Sequence, residues 1–319
     1  MIKNEEQFIS FLTSNYDSIN KIPKNWLGIG DDAAIIDIDS QSLIFCADAV
    51  VEDVHFRKYT EFFDIGWKSI VSNQSDIAAM GGYPLAFTIT LGVNESIKEQ
   101  QLIDLYNGMD SACKEFGGHL VGGDIVKSKN IFISISAIGK NFINKKIMTR
   151  DSAKIGDVVA VTGEIGNSIT GLDMLENNSI ISNKQTKKFL NPVPKIIESK
   201  YAVESGIVCA MDISDGLEKD LKRICESSNV KIEIDFEKIK YDKSIEEYFN
   251  SDYESKILTS GEEYELILVG PISKINVLKE KIDLSIIGKV TGNKKPEIYF
   301  YKNNKQINLT SESFDHFGK

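Results

Sequence analysis

Cysteine is scarce in this 319-residue sequence. There are four, Cys46, Cys113, Cys209 and Cys225, widely spaced and without a CxxC pair. This excludes a clustered zinc site and predicts small buried hydrophobes in a reducing compartment. No apolar run approaches the roughly 20 residues of a membrane span. The opening MIKNEEQFISFL has no apolar secretory segment, so a cytoplasmic protein is expected. Basic residues are outnumbered, 37 against 47 acidic, for a net charge of −10, and no Lys/Arg-rich block stands out. That argues against a nucleic-acid partner, and any anionic ligand must meet this chain through bound cations. The familiar phosphate devices are also missing: there is no GxxxxGK[ST] and no kinase-type HRD and DFG set. GEIGNS, residues 163 to 168, reads as a loose connection before a helix rather than a phosphate cradle.

The chain does have enough apolar residues, 42%, and enough length for two ordinary domains. Apolar positions at Phe8, Ile9, Leu12, Tyr16 and Ile19 predict an opening helix over 5–19. AAIIDI, SLIFCAD and PLAFTITLGV read as strands, with helices over FDIGWKSIVSNQSDIAAMGG and SIKEQQLIDLYNGMDSACKEFGG, and HLVGGD and NIFISISAIGK complete a first half of mixed α/β pattern. The polar stretch NFINKKIMTRDSAKIGD breaks this pattern, which places a boundary near residue 145 between domains 1–145 and 146–319. The second unit reads as α/β again. VVAVTG, IVCAMDIS, KIEIDF and YELILVG are its strands, GNSITGLDML and SDGLEKDLKRICES are helices, and a third helix is opened by Pro194.

Acidic residues recur where α/β folds place ligands, at strand ends. Asp31 and Asp32 form a doublet in GIGDDAAII with no Lys or Arg within several residues, and Asp48 ends a strand in FCADAVVEDVHF. Asp124 closes VGGD, and Asp212 and Asp215 flank the turn in MDISDGL. Plain readings compete for several of them. Asp76 falls opposite Trp67 on a helical wheel and is most simply a solvated helix face. Asp215 fits the first turn of a helix capped by Ser214, and Asp124 an ordinary turn. Asp212 is harder to dismiss, because it follows the apolar IVCAM and an unpaired buried carboxylate is costly. As a set, these acids point to hard divalent cations held by oxygen, Mg²⁺ above all, and so to nucleotide-dependent phosphoryl transfer.

GIGDDAAII, ADAVVEDVHF, SDIAAMGGYPLAFTITLGV, GGDIVKS, TGEIGNS, DISDGL, SGEEYELILVG and the terminal FDHFG resemble, in order and spacing, the thiamine-monophosphate kinase family. The match runs from about residue 28 to the chain's last residues. GDDAA and GGD are shared with the wider superfamily of aminoimidazole ribonucleotide synthetase and selenophosphate synthetase; VHF, SGEEYEL and the tail favour the kinase.

The resemblance implies a mixed α/β, two-domain fold whose N-terminal sheets form the barrel of a homodimer. It implies phosphorylation of thiamine monophosphate to thiamine diphosphate with ATP and several Mg²⁺. It assigns metals to Asp32, Asp48, Asp76, Asp124, Asp212 and Asp215, with Asp31 supporting. ATP is implied near Tyr106, Gly123, Asp124, Arg150 and Ser214, and thiamine monophosphate near His55, Glu262 and Phe314. Cys46 and Ala47 stand where the family commonly has Ser-Thr, so any metal contact there runs through backbone carbonyls or water. A metal-assisted transfer to a phosphate oxygen needs no general base. Rival readings are another synthetase of the superfamily, against which the missing glycine-rich N-terminal segment with a catalytic Cys argues, and a non-catalytic cation or nucleotide binder.

Overall fold

The computed structural model describes residues 5–15, 17–39, 41–144, 146–177, 184–292, 295–307 and 309. In the first half, β1 (Ala34–Ile38), β2 (Gln41–Val51), β3 (Gly82–Val93), β4 (His119–Lys127) and β5 (Phe132–Asn141) form a sheet ordered β1-β2-β5-β3-β4. All pairs are antiparallel except β3–β4. A parallel pair needs a crossover, and the helix α4 (Glu99–Phe116) supplies it. The helices α1 (Glu5–Asn15), α2 (Asp17–Asn20) and α3 (Phe62–Ala79) complete this half, so the single helix expected over 5–19 is two pieces.

The second half holds a seven-stranded sheet of β6 (Val158–Thr162), β7 (Cys209–Asp212), β8 (Lys231–Asp235), β9 (Leu266–Gly270), β10 (Leu284–Gly292), β11 (Glu297–Lys302) and β12 (Lys305–Gln306). Its order is β12-β11-β8-β10-β6-β9-β7. Around it lie α5 (Asn167–Glu176), α6 (Lys184–Leu190), α7 (Ile196–Glu204), α8 (Leu217–Ser228), α9 (Lys243–Phe249), α10 (Tyr253–Leu258) and α11 (Ile272–Lys279). β10 and β11 lie outside the strands read from sequence. The helix expected from Pro194 starts at Ile196, and the one expected from Ser214 starts at Leu217 behind Gly216. The four cysteines are free and buried. Among the described residues no helix is long and apolar enough to cross a membrane.

What positions the site is α3. It lies between the halves, packing on β2, β3, β5 and α4 from the first and on β7 and α7 from the second. Its flank against α4 has room for no side chain at two glycines: a Cβ on Gly66 would sit 1.9 Å from the Leu105 carbonyl oxygen, and one on Gly108 1.9 Å from that of Phe63. Ile70 and Ile77 of α3 join Phe87, Ile133, Ile135, Leu105 and Met109 in the first core. On the other flank, Ser199 of α7 donates to the Ala78 carbonyl at 2.6 Å. Burial therefore runs all round α3, from Ile65 to Ala79, with Asp76 as its half-buried exception. This corrects the solvated-face expectation. The wheel identified the face turned away from the first sheet, but that face meets the second half instead of water.

Among the described residues, the outer face of the first sheet has no such cover. Phe45, Thr88 and Thr90 alternate with buried neighbours, as the period of two in a strand requires. Edge strand β4 is exposed at nearly every position.

Candidate active site

The carboxylates of Asp32, Asp76 and Asp212 converge, each offering an oxygen within 4.8 Å of the others. They come from the loop before β1, from α3 and from the end of β7, so the cluster exists only when both halves fold together. Two of the three share a pattern. Asp212 is 1% exposed; its Oδ2 accepts a 2.6 Å hydrogen bond from Ser75, while its Oδ1 is buried without a partner. Asp32 gives Oδ1 to the Arg150 guanidinium and leaves Oδ2 buried and without a partner. Burial, then Asp48, Asp212 and Asp32, hold the Asp76 carboxyl well above its ordinary range; burial, then Asp32, does the same for Asp212.

Arg150 answers the puzzle of the doublet. The counter-charge comes from 118 residues along the chain. Besides its contact to Asp32, its backbone N–H donates to Asp31 Oδ2 at 3.0 Å, and its Nε lies 3.6 Å from Asp31 Oδ1. Burial opposes its charge, but Asp32 and Asp31 more than offset that and raise its pKa. Burial and the neighbouring Asp32 raise Asp31 to about 7. One guanidinium thus faces four carboxylates. This crowding of acids that resist ionising together, with two buried oxygens accepting from nothing, fits a hard divalent cation that would take the place of their protons.

Asp48 connects this cluster to a cavity of about 580 Å³. Asp48 lines the cavity together with His55, Ser214, Asp215 and Glu262, so the structure brings five of the expected residues to one cavity. Val50, Val54, Phe56, Ile169, Leu172 and Phe189 make the rest of the wall largely apolar. His55 Nδ1 accepts from the Val51 N–H at 3.2 Å.

Asp215 stands apart from the three-carboxylate cluster. It pairs with Arg223 at 2.6 Å and Lys219 at 3.0 Å. Burial raises its pKa, but Arg223 and Lys219 outweigh burial and leave it below the ordinary value. Ser214 does not cap α8 either. Asp220, buried inside that helix, accepts the N–H groups of Ser214, Asp215 and Gly216, each at 3.1 Å, and fixes the loop from within.

Other expected residues lie elsewhere. Gly123 is three strands from Asp48 along the row Asp48, Ile135, Ile89, Gly123, or about 14 Å at the usual strand spacing. Asp124 follows it, exposed on the edge strand, its Oδ1 accepting from the Ile125 N–H at 2.9 Å. A side chain at Gly123 would meet the Ile89 carbonyl oxygen at 1.9 Å, which is a structural reason for glycine there. Tyr106 packs against the first core from α4. Cys46 is buried with Sγ 3.7 Å from the Asn73 carbonyl oxygen, and Ala47 points to the opposite, exposed face. Phe314 lies outside the described residues. The GEIGNS amides are already engaged: Gly166 and Ser168 donate to the buried Glu263 at 2.7 and 3.1 Å.

Residue-type reasoning missed Lys68, Asp220 and Glu263. Lys68 did leave a trace, a lone cation beside Trp67 within an apolar helical stripe. For Asp220 the trace was an acid in the first turns of a helix, where free N–H groups need acceptors.

Residues 30–141 match the family described as AIR synthase related protein, N-terminal domain, and residues 154–300 its C-terminal domain. The thiamine-monophosphate kinase of Pyrococcus horikoshii is 35% identical over 292 residues, 90% of each chain. That of Bacillus subtilis is 32% identical, with 91% of this chain and 93% of the relative covered. This chain belongs to the thiamine-monophosphate kinase family. Among solved structures, "AaThiL complexed with AMPPCP and TMP" superposes with a TM-score of 0.85 at 28% identity, covering 98% of this chain and 97% of that one.

Proposed function

We propose that this chain transfers the γ-phosphoryl group of ATP to thiamine monophosphate, giving thiamine diphosphate and ADP. The observation that carries the reading is the junction at Asp48, which acts on Asp76, of a partly apolar cavity with three converging carboxylates, two of which keep a buried oxygen without a partner. A family member's complex with an ATP analogue and TMP supports the same pairing of substrates.

Asp32, Asp76 and Asp212 are the residues assigned to hold Mg²⁺, with Asp48 beside them. Asp215 and Asp124 are weaker candidates, the first committed to two cations and the second on the sheet's far edge. Bound Mg²⁺ supplies neutralisation of the charge gathered when two polyanions meet. The acceptor oxygen needs no base, since a phosphate monoester has its second pKa near about 6. The protein's own work is positioning. Asp31 and Asp32 fix Arg150, Ser75 fixes Asp212, and Asp220 fixes the Ser214 loop at the cavity wall. His55 and Glu262 receive the acceptor.

The ATP roles of Tyr106, Gly123 and Asp124 rest on the resemblance alone. A homodimer is supported by the outer face of the first sheet, which is left open among the described residues and where Phe45 and Val126 are 39% and 37% exposed. The four free, buried cysteines accord with a cytoplasmic setting.

Incubation with ATP, Mg²⁺ and thiamine monophosphate, read as fluorescent thiochrome esters, tests the reaction. Stoichiometric thiamine diphosphate and ADP that vanish with EDTA are expected. A folded protein that binds ATP yet makes no product overturns the reading.

A further inference from the structure

Lys68 is the feature of the cavity that the phosphoryl-transfer reading leaves without a task. It projects from α3, is 5% exposed and lines the cavity. Its Nζ lies 3.0 Å from Glu262 Oε2 and 3.4 Å from the centroid of the Phe189 ring. An ammonium taken out of water is costly unless paired, and here a carboxylate and an aromatic face both compensate it.

Three elements meet at this ammonium: α3 from the first half, α6 through Phe189, and the segment between α10 and β9 through Glu262. That segment is held in an unusual shape, with Glu262 at φ +54° and Tyr264 at +50°, and the Glu262 N–H donates to the Ser214 carbonyl at 2.8 Å. The pair is also asymmetric. The Glu262 side chain is 26% exposed and that of Lys68 6%, so of the two lining residues the carboxylate is the more open to the cavity.

We propose that Lys68 is a positioning residue that holds the Glu262 carboxylate aimed into the acceptor cavity, and so makes the enzyme select acceptors with a cationic ring over isosteric neutral ones. The inference rests on the thiamine monophosphate reading above. It gives Lys68 a task beyond bridging three elements: a bridge alone affects every acceptor equally, whereas an aimed carboxylate distinguishes ring charges.

The experiment compares wild type, K68M and K68R on two acceptors, thiamine monophosphate and the monophosphate of its neutral isostere in which carbon replaces the thiazolium nitrogen. K68M is expected to raise KM for thiamine monophosphate, and to shrink the kcat/KM preference for the cationic acceptor, by about tenfold or more, with KM for ATP held within about twofold. K68R restores most of the preference, and E262Q removes it. Equal loss on both acceptors, or no change, overturns the proposal. If K68M fails to fold, K68R and E262Q carry the test, and a preference left intact in E262Q overturns it. A wild type that forms no thiamine diphosphate overturns the functional reading and this inference with it. An active wild type whose preference ignores Lys68 and Glu262 overturns the inference alone.

Discussion

Two buried carboxylate regions in this molecule contain the same kind of residue and differ in how their oxygens are used. In the second half, Glu265 is 2% exposed; its Oε1 meets Lys188 at 2.7 Å and Lys195 at 3.1 Å, and its Oε2 accepts from Thr162 at 2.6 Å. Asp220 likewise spends Oδ2 on three backbone N–H groups and Oδ1 on Arg223. At the junction of the halves, Asp32 and Asp212 each give one oxygen to the protein and leave one buried without a partner. Burial alone therefore does not mark a functional acid. An unused oxygen marks one where acids also converge: Glu263 Oε2 is buried without a partner too, but Glu263 lies outside the cluster of Asp32, Asp76 and Asp212.

The sharpest way to break this comparison is to neutralise one acid from each region. D212N is expected to lower kcat/KM on the order of 10³-fold, the scale on which loss of a charge-stabilising element acts in phosphoryl transfer. Its unfolding midpoint in urea should hold or rise, since the change relieves repulsion with Asp32. A folded D212N with near-normal turnover removes Asp212 from the site.

E265A is expected to do the reverse. It strands two lysine side chains that are each 16% exposed, at a cost of about 3–5 kcal/mol in unfolding free energy. Turnover per folded molecule should stay near wild type. Activity lost without destabilisation would place Glu265 in the chemistry and collapse the distinction.

The two regions also differ in how far sequence exposes them. The junction acids were legible because each stands where its type is out of place: two aspartates before a strand, another behind the apolar IVCAM. Asp76 was the hard one, since a wheel gives the direction of a face and not what covers it, and the covering second half is remote in sequence. Arg150 as partner of the doublet had no local signal, because the pairing spans 118 positions. The strands of the first sheet followed from alternation and β-branched runs, whereas β10 and β11 were passed over among polar residues. The positive φ at Glu262 and Tyr264, which delays β9 to Leu266, follows from contact with the Ser214 loop and leaves no compositional trace.

The comparison sharpens further with pH. Burial and mutual repulsion raise Asp76 and Asp212 well above the ordinary carboxylate value of 3.8. Between that value and the raised one, the metal-free folded state holds protons that the unfolded chain has released. The stability these groups contribute is fully present below about pH 4 and falls as pH rises toward neutrality. Mg²⁺ should stabilise the protein most at the high end of this range, and EDTA should restore the slope. Urea midpoints at pH 5 and 7.5, with and without Mg²⁺, measure this. A slope indifferent to Mg²⁺ means that the cation does not occupy the junction.

The smallest effect is expected at an ion pair that also joins the two halves but lies open to water. Arg57 contacts Glu176 at 2.6 Å, with side chains 33% and 42% exposed. Water already solvates both charges, and salt screens them, so such pairs contribute about 0–1 kcal/mol. Arg57 also donates to the Asp53 and Val54 carbonyls at 3.0 and 3.2 Å, which holds it in place after its partner is gone. E176A should therefore shift the urea midpoint far less than E265A, and the shift should shrink further in 0.5 M salt. A loss rivalling E265A would mean that contact between the halves, rather than desolvation, sets the worth of a charge here, and would remove the basis for reading function from an unused oxygen.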